Sequence, residues 1–419
     1  MPDRHPPFPS PLAVHWQLDP SICYLNHGSF GACPTAVLHS QQRLRNRMEA
    51  EAVRYFVEEY WGLLDRARAA LGAFLNARAQ DFAPVTNATL AVATVLHHLA
   101  RTGAIKAGDE ILANDHEYPA CMNNLRDVCG MVGATPVPVT IPFPVTGPEQ
   151  VHDLIMAKVT SKTKAALISH VTSSSGLILP LDRLVPELER RGIRTIIDGA
   201  HAAGFVRGLD LTKLGASYYT SNCHKWLCAP KGSAFLWVRE DRQKNFRPMV
   251  LSNFAENPKP DRAQFLTEFD FVGTSDMTPF MAIPDAIEFM GKVFRDGWPA
   301  VFDHNRALLL KGREIVCREL KVEPPAPESM LGNLCTIRLP EQPEAIRAKL
   351  AARKSKYHDA LQEALIERHR IQVPIWSVAG KGRTIRLSAQ VYNSIGQYEY
   401  LAAAVVEELE RERSVPMSG

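Results

Sequence analysis

Apolar and polar positions fall into three successive regimes along the chain. From Pro34, Val37, Leu38, Leu44 and Met48 recur at helical spacing behind a proline suited to a first turn, and a second helix is predicted over about 57–75. Beyond residue 76 short apolar runs of strand length take over, at 82–86, 110–113, 135–139, 165–169, 195–198 and 234–238, with an amphipathic stretch at 90–101. Strands alternating with helical segments predict an α/β fold whose mostly parallel sheet is covered on both faces, with sites at the carboxyl ends of the strands. A helix over about 284–292 leads into the third regime. There, long helices near 302–320 and 344–369 alternate with strands near 334–339 and 384–388, an α+β pattern. The expected organisation is an N-terminal arm with helices over 1–75, a large α/β domain over 76–300 and a smaller α+β domain over 301–419.

Composition narrows the setting. With 419 residues, 22% of them charged, and a net charge of +3 carried by basic residues mixed among acidic ones, no nucleic-acid or membrane surface is indicated. Prolines at 2, 6, 7 and 9 stand where a secretory leader would have an apolar core, and no apolar run reaches membrane-spanning length. The eight cysteines, at 23, 33, 121, 129, 223, 228, 317 and 335, include no CxxC pair and suggest no disulfide framework, which fits a reducing compartment, the cytoplasm. Cys223 and Cys228 are spaced unhelpfully for a metal, and none is expected.

The candidate chemistry centres on Asn222-Cys223-His224-Lys225-Trp226-Leu227. Read as a polar turn before a Gly/Pro-punctuated apolar segment, it holds Lys225 in a restricted cavity, where desolvation lowers the amine's pKa and favours imine formation with an aldehyde. The apolar run ending at Asp198 delivers a carboxylate that would keep the ring nitrogen of pyridoxal 5'-phosphate protonated. Thr86-Asn87-Ala88-Thr89, between a strand and a helix, has the free amides and helix dipole to hold a phosphate dianion, although such residues also serve as plain N-caps. Tyr118, beyond the 110–113 strand, is the candidate ring to stack on the cofactor, with His116 as its rival. Arg386, alone in an apolar strand, needs an anion: a substrate carboxylate, or a protein carboxylate. Arg54, beside Tyr55 and Phe56, greets a substrate carboxylate or forms a surface salt bridge. No GxGxxG opens a helix after the first strand, which argues against a dinucleotide-binding dehydrogenase.

At Asp198 and Lys225 the chain resembles the class V aminotransferase superfamily of fold-type I pyridoxal phosphate enzymes. Tyr24-Leu25-Asn26-His27-Gly28-Ser29-Phe30-Gly31 and Asn114-Asp115-His116-Glu117-Tyr118 resemble its isopenicillin N epimerase branch most closely, and the resemblance covers roughly 16–410. It implies that Asn222 and His224 reach the phosphate, that Thr274 reaches the partner's phosphate across a homodimer, and that Asn26 and His27 either touch substrate or belong to an arm packed on the neighbouring subunit. Relatives often carry asparagine where Ser173 stands, so the contact to the cofactor's ring oxygen falls to Thr172, Ser173 or water. His201 would bond the same oxygen or the substrate carboxylate, or be structural. The implied activity is epimerisation at the α-carbon of an amino acid or peptidyl amino acid. The alternatives are a carbon–sulfur lyase on a cysteine derivative, a class V aminotransferase, and a cofactor-free binding protein of the same fold. A desulfurase would need a thiol on a mobile loop, and Cys335 lies in a strand-like run.

Overall fold

A computed structural model describes residues 6–414 apart from 354, 358 and 381; the first five residues of the Pro-rich arm and the last five of the chain lie outside it. Twelve strands form three sheets. In chain order they are β1 (Cys23–Tyr24), β2 (Phe82–Val85), β3 (Glu110–Asn114), β4 (Thr135–Val139), β5 (Thr163–Ser169), β6 (Arg194–Asp198), β7 (Tyr218–Asn222), β8 (Ala234–Val238), β9 (Leu334–Arg338), β10 (Ile371–Gln372), β11 (Ile375–Ser377) and β12 (Arg383–Ser388).

The large sheet has seven strands in the order β2-β8-β7-β6-β5-β3-β4. Strands β7, β6, β5, β3 and β4 are mutually parallel, and β8 runs antiparallel between β7 and β2. Two antiparallel steps return β2 to the common direction, so its carboxyl end opens on the same edge as those of the parallel strands. Consecutive strand residues point to opposite faces, and here both faces are dry. Ile111 and Ala113 of β3, Ala165 and Leu167 of β5, and Leu236 and Val238 of β8 join one buried cluster with Val92, Leu96, Leu125 and Phe246. Their neighbours Leu112, Ala166, Ile168 and Phe235 join the cluster on the other side with Leu184, Leu188 and Leu227.

Strand β7 departs from the sequence expectation, which placed no strand at 218–222 and read Asn222 as part of a polar turn. It is a central strand, buried throughout, because each polar side chain is satisfied locally. The Thr220 hydroxyl donates to the Phe235 carbonyl at 2.7 Å. The Ser221 hydroxyl oxygen accepts the Ala203 amide at 3.1 Å and Asn222 Oδ1 the Ala88 amide at 2.9 Å. The expected single helix over 344–369 is two, Glu344–Ala352 and Ala360–His369. Asp359 caps the second, its carboxylate accepting the Leu361 amide at 2.8 Å.

Strands β11, β12 and β9 form an antiparallel sheet in that order, with Arg386 opposite Thr336. The helices Trp298–Leu320 and Ile395–Ser414 pack with this sheet. The short β1–β10 ladder, Cys23 beside Ile371 and Tyr24 beside Gln372, ties the arm to the C-terminal part of the chain. No helix among the described residues is long and apolar enough to cross a membrane.

Candidate active site

Lys225 lies three residues beyond β7, on the sheet edge where β2, β3, β5 and β6 also end. The N-terminal arm grips its backbone. The Lys225 carbonyl accepts a hydrogen bond from His27 Nε2 at 2.9 Å, and Tyr392 donates its hydroxyl hydrogen to His27 Nδ1 at 2.8 Å. Gly31, at φ 68°, lies so close that a Cβ there would meet the His224 carbonyl oxygen at 2.0 Å and Lys225 Cα at 3.0 Å. Only glycine fits both the left-handed backbone and that approach.

The amine of Lys225 meets His201 Nε2 at 3.1 Å, while the Trp226 indole N–H donates to His201 Nδ1 at 3.2 Å. Burial, then the nearby Arg386 charge, lowers the Lys225 pKa to about 8 against the pull of Asp198 and Cys121. Burial, then Lys225, holds His201 well below the ordinary imidazole range.

Asp198 ends β6 and is buried at 3% exposure. Its Oδ1 accepts the Ala200 amide at 2.9 Å, and its Oδ2 is approached at 3.2 Å by the Cys121 thiol as donor. Glu117 lies beside them, with its carboxylate and the Cys121 sulfur and Asp198 carboxylate all within 4.8 Å of one another. Glu117 Oε1 accepts the Ser169 hydroxyl at 2.7 Å and the Tyr118 amide at 2.9 Å, while Oε2 is buried without a partner. Burial, then the Asp198 charge, pushes the Glu117 pKa up, which favours the protonated form of this acid.

The phosphate-type donors sit where β2 passes into the helix Ala88–Arg101. Asn87 adopts an extended backbone and its Oδ1 accepts the Leu90 amide at 2.9 Å, a regular N-cap. With the Ala88 amide taken by Asn222, the Thr89 amide is left at the mouth of the turn. His224 Nδ1 donates to the Ser233 carbonyl at 3.0 Å, and burial first, then Lys225, lowers its pKa to about 4. Tyr118 is 45% exposed and lines the cavity, whereas His116 is buried with Nδ1 at 2.8 Å from the Ser175 hydroxyl.

Arg386 on β12 is 1% exposed, yet among the described residues it has no carboxylate partner. It donates to the Ser173 carbonyl at 2.7 Å, the Ser29 hydroxyl at 2.9 Å and Asn26 Oδ1 at 3.3 Å, and lies 4.6 Å from the Trp376 ring centre. Its Nε is buried without a partner. Burial disfavours its charge, which Tyr24 and Tyr118 only partly support.

Ser29, Asn87, Tyr118, Asp198, His201 and Lys225 line one cavity of about 240 Å³, joined by Ala88, Thr89, Ser173, Asn222 and His224. Thr172 is not brought there. Its hydroxyl oxygen accepts the Leu177 amide at 2.9 Å and contacts Ser175 at 2.6 Å, so it stabilises its own loop. His27 likewise turns to the Lys225 backbone instead of toward the cavity, because Tyr392 and the Lys225 carbonyl occupy both ring nitrogens. Thr274 stands exposed outside the cavity of its own chain. Arg54 pairs at the surface with Glu51, Glu58 and Glu59. Ser29, Glu117, Cys121 and Trp226 escaped sequence reasoning. Glu117 alone gave a signal, an acid in the turn just beyond β3.

Three comparisons bear on this geometry. The Aminotransferase class-V family model matches residues 24–296. An isopenicillin N epimerase of Amycolatopsis lactamdurans is 34% identical over 409 residues, covering 93% of this chain and 96% of its own. A probable chloroplastic L-cysteine desulfhydrase of Arabidopsis thaliana is 27% identical over 408 residues, covering 92% and 83%. Among solved structures, the cystine C–S lyase C-DES in complex with its product cysteine persulfide superposes with a TM-score of 0.74 at 20% identity, over 92% of this chain and 97% of that one. A C-DES variant with glycine covalently linked to its PLP cofactor gives the same TM-score and identity, over 92% and 96%.

Proposed function

The chain belongs to the class-V aminotransferase family, and from that premise we propose that it is a pyridoxal 5'-phosphate enzyme that epimerises the α-carbon of an amino acid or peptidyl amino acid. The donor set of the cavity fits that cofactor: an amine of lowered proton affinity, a carboxylate whose Oδ2 meets only a thiol among the described residues, an open amide at a helix start, and an aromatic ring. Asp198 would hold the proton of the ring nitrogen, Thr89, Asn222 and His224 the phosphate, and Tyr118 the ring face. His201 and Ser173 would lie toward the ring oxygen. Bound there, the cofactor supplies an electron sink for a bond broken at the substrate's α-carbon. Lys225 would hold the cofactor at its aldehyde carbon, and its Nζ would take the α-proton of the substrate.

The observation that supports a carboxylate-bearing substrate is Arg386, a buried guanidinium that has no carboxylate partner among the described residues and lies beside the Lys225 cavity. Asn26 and Ser29 hold one of its amino groups in place. The epimerase reading rests on the likeness to the Amycolatopsis lactamdurans relative and to a second isopenicillin N epimerase, 30% identical over 404 residues. The desulfhydrase likeness supports a second reading, carbon–sulfur cleavage of a cysteine derivative. Persulfide chemistry is less favoured. Cys335 is buried within β9, and no thiol lines the cavity among the described residues.

The reading includes a homodimer in which Thr274 serves the partner's phosphate, and the division at about 75 and 300 into arm, large and small domains. All eight cysteines are buried and free, which supports a cytoplasmic setting. Incubation with an amino-acid panel in deuterated water tests the reaction. α-Deuterium with inverted product supports epimerisation, whereas pyruvate with sulfide replaces it by the lyase.

A further inference from the structure

Trp226 follows the lysine in sequence and takes no part in the roles assigned above. Its ring is 1% exposed, wedged against Phe205 at 5.1 Å and the His27 ring at 4.8 Å between centroids. Its backbone is held as tightly, since a Cβ on Gly204 would meet the Trp226 carbonyl oxygen at 2.6 Å. The indole therefore has one place to put its N–H, on His201 Nδ1 at 3.2 Å.

An indole nitrogen is only ever a donor, so His201 Nδ1 must present its lone pair. His201, 1% exposed, is kept neutral first by burial, with Lys225, Arg386, His27 and His224 about it. A neutral imidazole carries one hydrogen, and with Nδ1 acting as acceptor that hydrogen sits on Nε2. Nε2 lies 3.1 Å from Lys225 Nζ. The Nε2–H must then donate, and the lysine nitrogen accept. An ammonium has no lone pair with which to accept, so the arrangement is satisfied only by the neutral amine.

We infer that Trp226 is a positioning residue which, by fixing the tautomer of His201, makes the His201 Nε2–H a donor to Lys225 and keeps that lysine in its nucleophilic, uncharged form. It differs from the lowering of lysine basicity by burial or by Arg386, because it is directional and depends on one N–H. The groups facing the amine, Arg386, Asp198, Cys121 and His201, are otherwise unchanged when that N–H is removed. Without it, His201 can shift its hydrogen to Nδ1 and accept from an ammonium.

The inference rests on Lys225 as the cofactor's anchor, and the test keeps the two apart. In cofactor-free protein, the pH dependence of Lys225 labelling by cyanate, read by peptide mass spectrometry, gives the amine's midpoint. Trp226→Phe, and replacement of Trp226 by benzothienylalanine, which keeps the ring shape without the N–H, should each raise that midpoint by about one pH unit, the tenfold worth of an ordinary hydrogen bond. Long-range ¹H–¹⁵N spectra should show His201 as the Nε2–H tautomer in the parent protein and a mixture in the benzothienylalanine form. Unchanged midpoints in both forms, or an Nδ1–H tautomer in the parent, would overturn the inference. Loss of folding in the phenylalanine form leaves the isostere to decide. Failure of borohydride to trap the cofactor on residue 225 of the parent would instead remove the anchor reading and leave the tautomer result standing.

Discussion

Replacing Arg386 by alanine removes the buried guanidinium while leaving the groups that line the Lys225 cavity in place. kcat/KM for a substrate with an α-carboxylate is expected to fall about a hundredfold, the worth of one or two charge-assisted hydrogen bonds, while the visible spectrum of the bound cofactor stays. Loss of that spectrum would show that Arg386 serves the cofactor. Glu117 gives a stability prediction with a definite sign. Its folded pKa is raised above the ordinary carboxylate range by burial and then by Asp198, so the folded protein keeps a proton that the unfolded chain releases. That contribution is complete below the unfolded carboxylate pKa and is lost as pH rises toward the folded one. Glu117→Gln should flatten this slope, read from denaturant midpoints between pH 4.5 and 8. At this scale Asp198 and Arg386 were legible in the sequence because each is a charge in or at the end of an apolar run, and Lys225 because it stands between a polar stretch and a Gly/Pro-punctuated apolar one. His27 and Thr172 were misplaced because hydrogen-bonding capacity does not say which way a side chain turns, and Tyr392 and Leu177, which decide it, lie elsewhere in the chain or loop.

The elements carry a second lesson. Strands β3, β5, β6 and β8 announce themselves as short apolar runs, whereas β7 is hidden by Thr220, Ser221 and Asn222, whose partners Phe235, Ala203 and Ala88 lie on other elements. Periodicity reads burial, and a buried polar strand looks exposed until its partners are known. Gly31 and Gly62 make a paired prediction. Gly31→Ala must place a Cβ against the His224 carbonyl in a left-handed backbone, so it should cost at least about 1–2 kcal/mol from conformation alone and weaken cofactor capture. Gly62 lies in the helix Tyr60–Leu75 with open space around a Cβ. Gly62→Ala should add about 0.5–1 kcal/mol with capture unchanged. Thermal denaturation with and without cofactor separates the two.

Across the whole molecule, the helix Tyr60–Leu75 is bound to the segment that leads toward Thr274 by a buried charge network. Arg68, 1% exposed, pairs with Asp270, which also pairs with Arg262 at 2.7 Å, and the Tyr60 hydroxyl donates to the Asp270 carbonyl at 2.5 Å. Asp270→Asn leaves two guanidinium groups short of their buried carboxylate and should cost about 3–5 kcal/mol in equilibrium unfolding. A second global prediction concerns acid. Burial lowers the folded pKa of His27 to about 3 and of His170 to about 4, below the unfolded value near 6.5. The unfolded chain therefore takes up protons first, and stability should decline as pH falls below about 6.5, checked by urea midpoints from pH 8 to 5.

His27 joins three distant stretches of chain, its own, that of Lys225 and that of Tyr392. A nascent polypeptide on the ribosome has made the last strand of the large sheet, and with it both the amine and the carboxylate, once β8 has emerged. The clamp on the lysine's backbone waits for residue 392, so arrested chains that end before it should bind the aldehyde loosely, and commitment to the cofactor comes only as translation nears its close.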